Sequence, residues 1–473
     1  MAARRLPAVC KRLSSSSATS TFTAKAVPSK AHLHQPIPDA SFPQGYALAG
    51  VHCGVKKDPS ALDLAVLLST SPRPTSTAAC FTRNAFRAAP VTVSQEVLTG
   101  SAGRARALVV NSGCANAVTG KQGLDDAWAM VRATDTLLVP PPPPRANATL
   151  VMSTGVIGQT LPIANILAGI HALSPSTPPS PSAPSAILGA GFPAWERFAR
   201  AFMTTDTFPK LRARTFALGG RTYRLAGVDK GAGMIHPNMA PHATLLGCIA
   251  TDAAVSPRSL QSALAHAVDR SFNSISVDGD MSTNDTIVAF ANGAAAGEEG
   301  AAVEEIDEER DRAGYEAFRD ELTSFAQDLA QLVVRDGEGA TKFVTVSVDG
   351  ATTYEDAHKI AARISTSALV KTALYGEDAN WGRILAATGS IPLSTPLDPT
   401  RVSVSFIPTD GSSPLALLVN GEPEKVDEVR AKEIVSLEDL EVRVELGLGS
   451  ESAKYWTCDF SYEYVRINGD YRS

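Results

Sequence analysis

The sequence has few of the residues from which disulfide frameworks and metal centres are built. Its six cysteines are scattered over 473 residues without a CxxC pair, so neither a disulfide framework nor a zinc site is expected. Eight histidines are present, and after the first forty residues none pairs at ligand spacing with another histidine or a carboxylate. We therefore expect no metal. The chain also lacks an apolar run of about 18 residues, so no membrane span is expected.

Charge is sparse as well. Charged residues make up 19% of the chain, and the formal net charge is -6. A weakly acidic chain without a basic stripe argues against nucleic acid as a partner. The hydrophobic fraction of 44% is ordinary for a globular protein. The length is sufficient for two lobes or for one large intertwined core.

The first forty residues differ from the rest because they contain no acidic residue before Asp39 and include a serine run at residues 14–17. Their basic residues are Arg4, Arg5, Lys11, Arg12, Lys25 and Lys30. This composition without a long apolar segment is typical of a mitochondrial transit peptide. We predict such a peptide over residues 1–38, with an approximate boundary, and a location in the mitochondrial matrix.

Hydrophobic periodicity predicts a mixture of helices and strands. Helical spacing of apolar residues indicates helices over residues 123–137 and 315–334. Short apolar or alternating runs indicate strands over residues 107–111, 344–348 and 402–406. Because these elements do not follow a strict βαβ rhythm, the sequence predicts a layered α+β fold.

The most informative stretch is residues 230–253, which read KGAGMIHPNMAPHATLLGCIATDA. Its first half is rich in glycine, proline and asparagine and suits a constrained loop, although it lacks the spacing of a Walker phosphate-binding motif. An apolar segment then begins at Thr244. A hydroxyl residue at the junction of a constrained loop and a buried strand is a place where a strained peptide bond can be attacked by a neighbouring side chain.

Eight segments, in order and including the first part of this stretch, extend the signal over nearly the whole chain after residue 40. They read NSGCANAVTG, STGVIG, TTDTFPK, KGAGMIHPNMA, SVDGDMSTNDT, DGEGATKF, KTALYGEDANWGRI and YVRINGDYRS. With these motifs the chain resembles the ornithine acetyltransferases, the bifunctional glutamate N-acetyltransferases of the ArgJ type. The resemblance implies a layered α/β/β/α sandwich of the self-cleaving, N-terminal-nucleophile type.

The resemblance also implies that the precursor cuts itself between Ala243 and Thr244. The products would be an α subunit of residues 39–243 and a β subunit of residues 244–473, assembled as an α2β2 heterotetramer. Thr244 would then be the nucleophile. Its freed α-amine, with a reference pKa of about 7.7–8.0, can accept the hydroxyl proton, so no catalytic triad is required.

The resemblance implies roles for further residues that lie in the matching motifs. Thr154 and Gly155 correspond to the oxyanion hole, which needs preorganised donors. The implied substrate contacts are Thr204, Lys230, Thr244, Glu338, Asn468 and Ser473. Lys230 suits the α-carboxylate that both amino-acid substrates carry, and Glu338 suits the side-chain ammonium of ornithine.

The implied reaction moves an acetyl group from N2-acetyl-L-ornithine to L-glutamate through an acetyl-Thr244 intermediate, as a step of arginine biosynthesis. Acetyl-CoA is a possible co-substrate, and no other cofactor is expected.

In this sequence the family's NMA segment is separated from Thr244 by residues 241–243, which we interpret as a loop extension. Two alternatives remain: a self-cleaving aminopeptidase or hydrolase that transfers the acyl group to water, and an uncleaved, non-catalytic matrix protein.

Other charged residues near these motifs are predicted to be structural. Asp206, Lys210 and Asp229 are expected to stabilise turns. The acidic set around residues 278–285 resembles a metal loop in composition but not in the spacing of an EF-hand. We therefore interpret Asp278, Asp280, Asn284 and Asp285 as a hydrogen-bonded turn.

Overall fold

The computed structural model describes residues 25–174, 188–236, 239–240, 245–297 and 303–470. Ala243, Thr244 and Ser473, which the sequence assigns to cleavage, nucleophilic attack and substrate binding, lie outside these residues. Residues 25–38, within the predicted transit peptide, contact the folded protein. The Lys25 ammonium lies 2.7 Å from a carboxylate oxygen of Glu377, and the Lys30 ammonium lies 2.8 Å from Glu438.

Within the described residues the chain forms seventeen strands and eleven α-helices. The strands are β1 (Tyr46–Val51), β2 (Leu64–Ser69), β3 (Ser76–Thr82), β4 (Ala107–Cys114), β5 (Thr149–Val156), β6 (Lys210–Leu218), β7 (Arg221–Lys230), β8 (Met239–Ala240), β9 (Leu246–Thr251), β10 (Ile275–Ser276), β11 (Thr286–Ala291), β12 (Phe343–Ala351), β13 (Ser403–Pro408), β14 (Leu415–Val419), β15 (Glu422–Pro423), β16 (Asp439–Glu445) and β17 (Glu451–Cys458). The helices are α1 (Ala89–Gly100), α2 (Gly120–Asp135), α3 (Ile163–His171), α4 (Phe192–Phe202), α5 (Pro257–Asp269), α6 (Arg312–Arg335), α7 (Tyr354–Ser365), α8 (Ala368–Gly376), α9 (Trp381–Thr388), α10 (Glu428–Ser436) and α11 (Tyr462–Gly469).

Two sheets form the centre of the molecule. The first has the order β1-β2-β4-β5, and only its β4–β5 pair is parallel. The second has the order β6-β7-β9-β11-β3-β8, and only its β9–β11 pair is parallel. The second sheet therefore combines strands from distant parts of the chain.

The period-two alternation of strand side chains shows how the layers stack. On β3, Ala78 and Cys80 join a hydrophobic core with helices α5 and α6, whereas Ala79 and Phe81 join a core with the first sheet. Helices α1, α2 and α3 pack against the first sheet. The result is a four-layer α/β/β/α arrangement, which confirms the predicted α+β sandwich.

The third sheet has the order β10-β17-β12-β16-β13-β14-β15 and its own hydrophobic core, with α7 packed against β12 and β17. It is fused to the sandwich, because Phe343, Trp456 and Cys458 belong to the core that α5 and α6 share. In the part of the chain described, no helix is both long enough and apolar enough to cross a bilayer.

The sequence-predicted elements are confirmed with small changes in their ends. The predicted helix over 315–334 lies within α6, which begins earlier because the Asp311 side chain accepts a hydrogen bond from the Gly314 amide and caps the first turn. The predicted strand over 107–111 continues to Cys114, since it pairs on with β5 through a bulge. The predicted helix over 123–137 corresponds to α2, which starts three residues before the predicted position.

Candidate active site

A cavity of about 300 Å³ lies where the two sheets of the sandwich meet the segments that follow α6 and form α11. All six sequence-predicted site residues that the structure describes line it: Thr154, Gly155, Thr204, Lys230, Glu338 and Asn468. Leu245, the residue after Thr244, also lines the cavity. Residues more than 300 positions apart in sequence therefore converge on one site of amino-acid size.

Gly155 sits at a point where only glycine fits. It pairs with Gly113 of the neighbouring strand at a bulge and has φ +127, in the region that side chains strongly disfavour. A Cβ atom at this position would lie 2.3 Å from the carbonyl carbon of Gly113. The absence of a side chain lets the backbone of β5 form part of the cavity wall.

Lys230 is the last residue of β7 and supplies a buried cation. Its side chain is 9% exposed, and its ammonium donates to the Thr154 hydroxyl over 3.3 Å. Burial lowers the pKa of Lys230, although the carboxyl group of Asp206 opposes the shift. Since the Thr154 hydroxyl is its one hydrogen-bond partner among the described residues, the ammonium group retains donors for an anionic ligand.

Glu338 supplies the matching anion. It is 7% exposed, and its Oε2 accepts a hydrogen bond of 2.7 Å from the side-chain amide of Asn468. The carboxylate lies against Gly233, where a Cβ atom would come within 2.4 Å of Oε2. The cavity wall thus includes a buried ammonium group and a buried carboxylate, which suits a zwitterionic amino acid.

Asp206 holds two of the predicted substrate contacts in place. Its Oδ2 accepts from the Thr204 amide at 2.9 Å, and its Oδ1 accepts from the Gly231 amide, next to Lys230, at 2.7 Å. These bonds agree with the turn-stabilising role predicted from sequence. Burial alone would raise the pKa of Asp206, but the ammonium groups of Lys210 and Lys230 hold it well below its usual range.

Lys210 connects this turn to a distant part of the chain, which the sequence did not indicate. Its fully buried ammonium lies 2.5 Å from Asp206 and 2.7 Å from Asp336, two residues before Glu338. Burial disfavours the charged lysine, but the two carboxylates raise its pKa above the ordinary value. One buried ion cluster therefore links three predicted substrate contacts.

The acidic set at residues 278–285 divides into two roles. Asp278 accepts hydrogen bonds from the amides of Met234 and Ile235, at 2.6 and 2.9 Å, as a structural turn requires. Asn284 and Asp285, in contrast, line the cavity. The sequence interpretation assigned them to a turn, because the motif that contains them, SVDGDMSTNDT, gave them no substrate contact. Among the residues described, no group of three His, Cys, Asp or Glu side chains is placed to hold a metal ion.

The four-layer fold and this enclosed, charged pocket define an enzyme that acts on a small molecule. The comparisons with known proteins agree. The family model described as "ArgJ family" matches residues 47–473. The chain is 72% identical to the mitochondrial arginine biosynthesis bifunctional protein ArgJ of Postia placenta, with 99% of each chain covered. It is 67% identical to the protein of the same name in Laccaria bicolor, over 96% of this chain and 98% of the relative.

A solved structure of arginine biosynthesis bifunctional protein ArgJ from Bacillus halodurans is 35% identical to this chain. It aligns with a TM-score of 0.41 and covers 46% of this chain and 95% of the solved chain. The protein belongs to the ArgJ family. It is a mitochondrial acyltransferase of arginine biosynthesis, and its full-length relatives carry the name arginine biosynthesis bifunctional protein ArgJ, mitochondrial.

Proposed function

We propose that the protein transfers an acetyl group from N2-acetyl-L-ornithine to L-glutamate through an acetyl ester on Thr244. The observation that carries this proposal is the convergence of Thr154, Lys230, Glu338 and Asn468 on one cavity whose wall includes Leu245. Lys230 would bind the α-carboxylate that both substrates share. Glu338 would bind the side-chain ammonium of ornithine.

In the first half-reaction, the Thr244 hydroxyl attacks the acetyl carbonyl carbon while the α-amine of Thr244 takes the hydroxyl proton. The backbone at Thr154 and Gly155 would stabilise the resulting oxyanion. Collapse of the intermediate breaks the C–N bond, and the protonated α-amine returns its proton to the departing ornithine nitrogen. In the second half-reaction, the α-amine of glutamate attacks the ester, and N-acetylglutamate leaves as the threonine hydroxyl is restored.

We infer that the nucleophile is freed by cleavage between Ala243 and Thr244, which would separate an α subunit ending at residue 243 from a β subunit beginning at residue 244. The position of β9 supports this inference. This strand starts at Leu246 and is hydrogen-bonded to β7 on one side and β11 on the other. A new N-terminus two residues before it would be anchored to the centre of the sheet, beside the cavity.

The same proposal includes an α2β2 assembly of the two products, import through a transit peptide at the N-terminus, and use of acetyl-CoA as a second acetyl donor. The family membership and the names of the relatives support these points. The substrate contact assigned to Ser473 also belongs to the proposal, because its motif YVRINGDYRS begins within α11, which carries Asn468.

Intact mass and a denaturing gel of the purified protein test the cleavage. We expect two fragments that divide between Ala243 and Thr244, and an added acetyl mass on the C-terminal fragment after incubation with N2-acetylornithine alone. Thr244→Ala should give one band, no acetylated fragment and no transfer. A single band for the wild-type protein would overturn the proposal and favour an uncleaved, non-catalytic protein.

Ornithine release measured with and without glutamate separates transfer from hydrolysis. A transferase should release ornithine faster when glutamate is present, whereas a hydrolase should not respond. Incubation with acetyl-CoA and glutamate tests the second donor, and product at the level of the Thr244→Ala control would show that acetyl-CoA is not used.

A further inference from the structure

Asp285 is a cavity-lining carboxyl group to which the family motifs gave no role. It is the residue immediately before β11, and the amide of the next residue, Thr286, donates to the Leu245 carbonyl over 2.8 Å. Thr286 is also paired with Leu246 in the parallel β9–β11 ladder. Asp285 is therefore fixed beside the start of β9 and shares the cavity wall with Lys230.

The carboxyl group of Asp285 is buried but only partly satisfied. The residue is 2% exposed, and its Oδ2 has no hydrogen-bond partner in the described parts of the chain. Burial raises the pKa of Asp285 well above its usual range, against the opposing effects of Ser282, Lys230 and Thr82. A raised pKa favours the neutral form of a carboxyl group, and the neutral form carries an O–H donor. A buried polar group without a partner is costly unless a ligand satisfies it.

The turn that carries Asp285 is rigid. The side-chain amide of Asn284 donates to the carbonyls of Ala115 and Ser153, and the Thr82 hydroxyl donates to the Ser282 carbonyl over 2.9 Å. Through Ser153 the turn is tied to the strand that carries Thr154 and Gly155. The carboxyl group is thus held in place before any ligand binds, as a recognition group requires.

Asp229 provides an informative contrast within the same protein. It is also fully buried, and both of its carboxylate oxygens are unpaired among the described residues. Because neighbouring residues on a strand face opposite sides of the sheet, its side chain points away from that of Lys230. It does not line the cavity. Of these two buried carboxyl groups, only that of Asp285 lines the cavity and can contact a ligand there.

We propose that Asp285 is a further substrate-binding residue, whose neutral carboxyl group donates a hydrogen bond to the amino-acid carboxylate bound by Lys230. An acid O–H paired with a carboxylate forms a short, charge-assisted bond, and proteins use buried neutral aspartic acids as donors in this way. A substrate carboxylate would satisfy both Lys230 and Oδ2. This inference rests on the proposed function, because it assigns the same cavity to carboxylate-bearing amino acids.

Calorimetric titration of the wild-type protein and of Asp285 variants with L-ornithine tests the contact without requiring turnover. We expect Asp285→Ala to weaken ornithine binding about ten- to hundredfold, the range of a hydrogen bond to a charged group. Asp285→Asn should bind within about threefold of the wild type, because the amide also donates. Asp229→Asn is the matched control and should bind ornithine as the wild type does.

A second ligand distinguishes a carboxylate contact from a purely structural role. 1,4-Diaminobutane is ornithine without its carboxylate, and in low-affinity titrations it should bind the wild type and Asp285→Ala equally. Equal weakening for both ligands would overturn the proposal, as would an Asn variant as defective as the Ala variant or an Ala variant that binds ornithine normally. Absence of acetyl transfer in a wild-type protein that binds ornithine would instead count against the proposed function alone.

Discussion

Replacement of Lys210 by methionine is the most direct test of the buried ion cluster. The Lys210 ammonium is fully buried between Asp206 and Asp336, with N–O separations of 2.5 and 2.7 Å. Methionine is similar in length but carries no charge. The two carboxylates would then remain in the interior without the cation that compensates them.

Removing one partner of a buried ion pair destabilises a protein by about 3–5 kcal/mol, because the remaining charge stays desolvated. The entropy of unfolding for a chain of 473 residues makes each kcal/mol worth roughly 1 °C in melting temperature. We therefore expect Lys210→Met to lower the melting temperature at pH 7 by about 3–5 °C. Activity should fall too, because Asp206 holds the amides of Thr204 and Gly231.

The sign of the pH dependence adds a second, independent expectation. In the wild type the pKa of Asp206 is held below its unfolded value, so its stabilising contribution is full above about pH 5 and is lost as the pH falls through the folded pKa. Without Lys210, burial should instead raise the pKa of Asp206, so that folding takes up protons. The penalty of the substitution should therefore shrink between pH 7 and pH 5.

Thermal unfolding at one scan rate and one protein concentration, at pH 7 and pH 5, measures both effects. Lys359→Met is the control, because the Lys359 side chain is 57% exposed and its pairing with Asp356 should contribute little. If Lys210→Met melts within about 1 °C of the wild type, or if the difference grows toward pH 5, the cluster does not have the role described here.

Three further outcomes are expected. Gly155→Ala should abolish transfer even if the chain folds, since a Cβ atom would lie 2.3 Å from a backbone carbon of the adjacent strand; normal activity would contradict the assignment of this wall. Glu338→Gln should raise the KM for N2-acetylornithine by tenfold or more, with a smaller effect on glutamate, because only N2-acetylornithine carries an ammonium group on its side chain; steady-state kinetics with each substrate varied measure this. A chain that begins at residue 39 should melt about 1 °C below one that begins at residue 25, because it loses the ion pairs of Lys25 with Glu377 and of Lys30 with Glu438; identical melting curves would show that these ion pairs do not contribute to stability.

Local patterns in the sequence were sufficient to predict the helices and strands that depend on their own residues and not on pairing with a distant strand. The apolar stripe of α6 and the alternation of β12 and β13 are short-range signals, and the structure confirms them. The extension of β4 to Cys114 could not be predicted, because it depends on pairing with β5, which lies some forty residues later. The order of strands in the second sheet depends on similarly distant partners.

The residues of the active site show the same difference between what sequence motifs indicate and what depends on distant contacts. Residues within family motifs, such as Lys230 and Glu338, could be assigned by resemblance, and the structure brings them to one cavity. The link between Lys210 and Asp336 spans 126 positions, so no local pattern could reveal it. Asp285 was interpreted as part of a turn because acidic turn residues are common, and only its burial and its unpaired oxygen distinguish it.

The strand order of the second sheet has a consequence for how the enzyme must be made. Strands β6, β7, β3 and β8 precede the proposed cut, whereas β9 and β11 follow it and are inserted between β7 and β3. The N-terminal piece alone would hold two separate pairs of strands with a gap two strands wide. The C-terminal piece would contribute only β9 and β11 to this sheet. If the chain is cut after residue 243 as proposed, this sheet must form before the cut is made. The two subunits would then derive from one folded precursor, whereas two separately synthesised chains would have to place β9 and β11 between two strand pairs that are not joined to each other.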